Sequence, residues 1–126
     1  MTKASIATTK YQVRLENGRH VFGADEPEAQ GGTDLAPAPD ELLEAALASC
    51  TAITLRMYAD RKQWPVEGIE VAVSLERIDG KTVFSRNIQL RGDLDQEQKG
   101  RLFQIAKLCP VSKTLSGLIE VNSSIA

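Results

Sequence analysis

Residues 37–71 read PAPDELLEAALASCTAITLRMYADRKQWPVEGIEV, and this stretch decides the fold. Pro39 suits the first turn of a helix, where its missing N–H has no intrahelical bond to lose and its φ is already set. Asp40 and Glu41 then place negative charge at the positive end of the helix dipole. From Leu42 to Tyr58 only Glu44 and Arg56 are charged, and small and apolar side chains fall on every face, which predicts a long buried helix. The polar run Asp60-Arg61-Lys62-Gln63 should end it before Trp64-Pro65, since a residue preceding proline is pushed out of helical geometry.

Downstream the periodicity changes from helical to alternating. Val71, Val73 and Leu75 alternate with Ala72 and Ser74, Asp79-Gly80 signals a tight turn, and Val83, Phe84, Ile88 and Leu90 carry a return strand. Asp95 with Gln98 three residues on is a capping pattern, and Leu102, Phe103, Ile105, Ala106 and Leu108 outline the apolar face of a second helix. Pro110 stops that helix and can open a further turn over 111–115, which would make Cys109 its cap. Leu118, Ile119 and Val121 suggest a short final strand that completes a sheet. Upstream, Tyr11, Val13 and Leu15, the Asn17-Gly18 turn and His20-Val21-Phe22 predict an opening hairpin. Residues 25–39, dense in Pro, Gly and acids, read as a long irregular loop of the kind that is often functional. The class is α+β with an antiparallel sheet, and the 126 residues are expected to form one domain.

Composition narrows the functions. The 15 Lys and Arg against 17 Asp and Glu are interleaved, which argues against a nucleic-acid partner. The opening run has no apolar stretch of signal-peptide length, and no segment approaches the roughly 20 apolar residues of a membrane span, so a soluble cytoplasmic protein is expected. Two cysteines in that compartment are not expected to persist as a structural bridge. Cys50 and Cys109 are too far apart for a CxxC pair, and with His20 as the sole histidine they cannot complete a usual zinc set. What remains is plain core packing, common for a cysteine on an apolar helix, or a redox pair in which one thiolate is oxidised to a sulfenic acid and the other condenses with it. Cys109 at a helix start sits where thiolates are favoured.

The 37–71 stretch, together with RLFQIAKLCPVSKTL at 101–115, resembles the osmotically inducible protein C and organic hydroperoxide resistance (OsmC/Ohr) superfamily. A Pro-acid-Leu-Leu helix start reaches a Cys about ten residues on, and a Cys-Pro follows the second helix. The resemblance implies an intertwined α+β homodimer with two long central helices and active sites at the interface. It implies a peroxidatic Cys50, a resolving Cys109, and an acid and an arginine that hold the thiolate and orient an organic hydroperoxide. The acid falls on Asp40 or Glu41. Ten helical residues span about 15 Å, so Asp40 cannot touch Cys50 of its own helix, and a partner chain could supply the acid. Arg19 and Arg14 are the candidates for the arginine. The blocks NGRHVFGADEPEAQGG and RMYADRKQWP point to a branch apart from the two name-giving groups. A dithiol, of lipoyl type for instance, would reset the disulfide, with no metal, haem or flavin required.

Other residues read more plainly. His20 belongs to a hairpin turn, Gly31-Gly32 lack the strand and helix of a dinucleotide fingerprint, and Trp64 anchors a helix end. The alternative to a peroxidase is a binding module that holds a small hydrophobic molecule with both cysteines as core. A thiol hydrolase or transferase on the same cysteine is a third reading.

Overall fold

The computed structural model describes residues 1–126. Pro39 opens a 24-residue helix, α1 (Pro39–Lys62), with Asp40 and Glu41 in its first turn. The Glu41 carboxylate accepts the Ala38 N–H at 2.9 Å, satisfying a donor just outside the helix start. By length and apolar content α1 could cross a membrane. Its buried residues, however, are Leu47, Thr51, Leu55, Tyr58 and Ala59, a stripe that belongs to a protein core. Within the single chain Leu43, Ile53 and Met57 are 43%, 55% and 65% exposed, so one chain by itself covers only part of the helix.

Contacts divide the chain into two compact units, Met1–Leu43 and Glu44–Ala126. The first holds a three-stranded antiparallel sheet of β1 (Lys3–Ser5), β2 (Val13–Glu16) and β3 (Val21–Ala24). The turn between β2 and β3 is closed by the Asn17 side-chain oxygen, which accepts from Arg19 N–H at 3.0 Å and His20 N–H at 2.8 Å, with Gly18 at φ +89°. Strand β1 has no alternating apolar signal and is defined by pairing alone, Lys3 opposite Glu16. The loop that follows β3 is more ordered than its composition predicts. Asp25 is buried, and its carboxylate accepts the backbone N–H groups of Tyr11, Glu26, Thr33 and Leu35 and the Thr33 hydroxyl. These bonds hold its pKa far below the ordinary carboxylate range, the Thr33 hydroxyl contributing most, against burial that would raise it. A Cβ on Gly32 would collide with the Glu26 carbonyl, so the loop closes only around a glycine.

In the second unit β4 (Val66–Ile78) and β5 (Lys81–Gly92) form a long antiparallel hairpin around Asp79 and Gly80, both at positive φ as a type I′ turn requires. α2 (Gln96–Ala106) begins with the expected capping box, Asp95 and Gln98 bonding reciprocally. A core of Leu55, Tyr58, Ala59, Val66, Leu102, Ile105 and Ala106 joins α1 and α2, with Ile69, Ile88 and Leu90 of the hairpin packed against it. The Glu44 carboxylate accepts the Leu75 N–H at 2.9 Å, tying α1 to a backbone donor of β4. α3 (Pro110–Ser116) is capped by Cys109. The final strand does not form: residues 117–126 carry no regular structure, and Leu118 and Val121 are exposed. No β partner reaches their backbone, so alternation alone cannot make a strand.

Candidate functional site

Along β5 the side chains of Phe84, Arg86, Ile88 and Leu90 alternate onto the face that turns inward. Arg86 is the one cation in that apolar series. Its Nη1 donates to Thr51 Oγ1 at 2.9 Å and to the Ala106 carbonyl at 3.2 Å, the last carbonyl of α2, which also accepts the Cys109 N–H at 3.3 Å. Thr51 is fully buried, its Oγ1 lies 2.7 Å from the Leu47 carbonyl, and it stands 3.7 Å from Cys109 Sγ. The hydroxyl has one hydrogen, which serves either the Leu47 carbonyl or a Cys109 thiolate. The Ser112 N–H donates to Cys109 Sγ at 3.3 Å, made possible because Pro110 starts α3 and leaves Cys109 extended at φ −62°, ψ 140°.

Burial alone would raise the Cys109 pKa. The Ser112 N–H, the Thr51 hydroxyl, the Cys50 thiol and the Arg86 charge act the other way, and together they bring it below the ordinary thiol value. Cys50 precedes Thr51 on α1, is half-buried where Cys109 is fully buried, and is close enough to the Cys109 sulfur to influence its ionisation. Both cysteines are free thiols.

The other expected site residues have surroundings of their own within the first unit. Asp40 and Glu41 occupy the first turn of α1, about 15 Å along the axis from Cys50. Arg14 bonds to Glu16 at 2.6 Å on the surface, and Arg19 sits in the exposed β2–β3 turn. The guanidinium that approaches Cys109 is Arg86, and Thr51 links the two; sequence reasoning named neither. The signal for Arg86 was an arginine in phase with Phe84, Ile88 and Leu90. Beside this cluster an open groove of about 580 Å³ is lined by Leu47, Phe84, Arg86, Phe103, Lys107 and Leu115. Thr82, Ser112 and Ser116 add hydroxyls to these walls, so the groove is mixed in character, with Arg86 as one cation and Lys107, whose Nζ lies 4.7 Å from the Phe103 ring centroid, as another. No cluster of His, Cys, Asp or Glu is assembled that could hold a metal ion.

A helix cysteine and a Cys-Pro cysteine, gathered with a buried threonine and a strand arginine under an antiparallel hairpin, define a dithiol α+β protein. The family model described as OsmC-like protein matches residues 31–124, and the chain belongs to that family. Solved structures agree in fold. An OsmC-like protein from Mycoplasma pneumoniae superposes with a TM-score of 0.79 at 17% identity, covering 94% of this chain and 87% of that one. An organic hydroperoxide resistance protein OsmC from Legionella pneumophila gives 0.69 at 24% identity over 93% and 88%. The organic hydroperoxide resistance protein OhrB of Bacillus subtilis gives 0.62 at 26% identity over 93% and 90%. No curated protein matches the sequence.

Proposed function

We propose that the chain is a thiol peroxidase that reduces organic hydroperoxides in defence against oxidative stress. The observation that carries this reading is the setting of the fully buried Cys109 sulfur, which accepts the Ser112 N–H at 3.3 Å and stands 3.7 Å from the Arg86-bonded Thr51 hydroxyl, with Cys50 beside it. Cys50, the more accessible sulfur, attacks the distal oxygen of ROOH as a thiolate. The O–O bond breaks, the alkoxide leaves and takes a proton as ROH, and Cys50 becomes a sulfenic acid. The Cys109 thiolate then attacks the Cys50 sulfur, expelling hydroxide that leaves as water, and a disulfide forms. An external dithiol, such as a lipoyl group, reduces the bridge to two thiols by exchange, in keeping with a reducing cytoplasm. Arg86 supports the Cys109 thiolate as the nearby cation. The kinship with organic hydroperoxide resistance proteins supports this substrate class.

The active form in this reading is a homodimer. Leu43, Ala46, Cys50, Ile53 and Met57 repeat at alternating spacings of three and four along α1, a seam that a second copy of α1 would cover. An antiparallel partner would bring its Asp40 or Glu41 toward Cys50.

Adding one equivalent of cumene hydroperoxide to reduced protein is expected to consume both thiols and release one cumyl alcohol per chain. Cys109→Ser should stop at a sulfenic acid trapped by dimedone, and Cys50→Ser should release no alcohol. Thiols that persist in folded protein would remove the enzyme reading and leave the groove as a binding site for an apolar ligand. Sedimentation at micromolar concentration tests the dimer, with a monomeric mass refuting it.

A further inference from the structure

Where the last turns of α1 meet α2, three cations converge on one ring. Arg61 and Arg101 place their guanidinium carbons, and Lys62 its ammonium, each 5.7 Å from the Tyr58 ring centroid. Arg101 Nε also donates to the Tyr58 hydroxyl at 3.0 Å. None of the three forms an ion pair within the chain; the nearest acid on α1, Asp60, is paired with Arg56. Gathering like charges around one phenol is unfavourable unless something answers them. Their presence also lowers the Tyr58 pKa, chiefly through the Arg101 hydrogen bond.

The ring is one wall of a surface cavity of about 400 Å³ that also involves Lys62, Trp64, Gln98, Arg101 and Gln104. Trp64 stands edge-on to Tyr58 at 5.5 Å and 73°, so the cavity has an aromatic side next to its cationic one. With Nε spent on Tyr58, the two terminal amino groups of Arg101 make no bond within the chain and can grip two oxygens at once. The amide groups of Gln98 and Gln104 can donate to or accept from a ligand's neutral portion. Asp95 and Glu97 also border the cavity and offset part of its positive charge, which favours one compact anionic group over a polyanion.

We propose that this cavity is a binding site for a small aromatic anion, a planar ring bearing one phosphate or carboxylate. The anionic group bridges Arg101 and Lys62, and the ring rests against Trp64. The site uses neither cysteine, and it stands or falls independently of the peroxidase reading.

Trp64 is the sole tryptophan, so its fluorescence reports the cavity directly. Titration of the reduced full chain with phenyl phosphate and with benzoate should quench Trp64 saturably for at least one of them. Inorganic phosphate and neutral benzyl alcohol should each bind at least tenfold more weakly. Arg101→Gln and Lys62→Gln should each weaken binding about tenfold, the loss expected for one charged hydrogen bond. Absence of saturable quenching overturns the proposal, as does inorganic phosphate binding as tightly as phenyl phosphate. Unchanged affinity in Lys62→Gln overturns it too, and that exposed residue decides the matter if Arg101→Gln fails to fold.

Discussion

Replacing Thr51 by valine keeps the shape of a fully buried side chain and deletes the hydroxyl that joins Arg86 to Cys109. The main loss is the 2.9 Å bond from the Arg86 guanidinium, a hydrogen bond to a charged group of about 1.5–3 kcal/mol. The bond to the Leu47 carbonyl adds little, since that carbonyl is also the natural acceptor within the helix. Arg86 keeps its bond to the Ala106 carbonyl, which limits the damage. Thr51→Val should therefore destabilise by about 1.5–3 kcal/mol in urea unfolding of the reduced protein. It should also raise the Cys109 pKa, because a donor to the thiolate is gone. Thiolate absorbance at 240 nm, followed against pH in a Cys50→Ser background with and without Thr51→Val, reads this shift; the midpoint should move to higher pH. The linkage has a definite sign. A thiol whose folded pKa is depressed contributes stability above its unfolded value of about 8.5 and loses it as pH falls through the folded value. The stability gap between the wild type and the Thr51→Val variant should thus widen as pH rises through that window. A change under about 0.5 kcal/mol, together with an unmoved midpoint, would refute the view that Thr51 couples strand to thiol.

Asp25→Asn keeps the size but removes the charge that accepts five hydrogen bonds, and the 25–35 loop should become open to proteolysis while far-UV dichroism holds. Since the Asp25 pKa is depressed in the fold, its contribution is present above the unfolded value of about 3.9 and lost as pH falls below it. Acid titration of the variant should lack that part of the wild-type loss. Leu55→Ala, at a fully buried core position on α1, should cost about 2–5 kcal/mol in urea unfolding, and a loss under about 1 kcal/mol would contradict the assigned core.

The elements that could be read from sequence were those whose signals are local. The Pro39 start, the Gln63-Trp64-Pro65 exit, the Asp79-Gly80 turn and the Asp95–Gln98 capping box each depend on neighbours within a few residues, and each has its expected partner in the fold. What escaped were long-range effects. Strand β1 exists only because β2 offers a free edge, and the Asp25 loop is ordered by donors eight to fourteen residues away in either direction. The 118–121 segment fails as a strand for the converse reason, an apolar alternation with no edge to join.

The site divides along the same line. Cys109 as a cap follows from the proline behind it, a local rule, and the Ser112 N–H duly meets its sulfur. Arg86 could not be found by looking near the cysteines, because the contact is made by the pleat: Phe84, Arg86, Ile88 and Leu90 share one face, and that face covers α1 and the end of α2. Arg14 and Arg19, the arginines that the resemblance offered, stand in a surface ion pair and an exposed turn. Treating alternation as a statement about every residue in phase, polar ones included, changes the inference. An arginine on the inward face must be offset by acceptors inside, and in a unit with a buried hydroxyl and a helix-end carbonyl those acceptors are Thr51 and Ala106. The same bonds that make the charge tolerable hold it beside the thiol, so the stability of β5 against α1 and the ionisation of Cys109 are two consequences of one side chain.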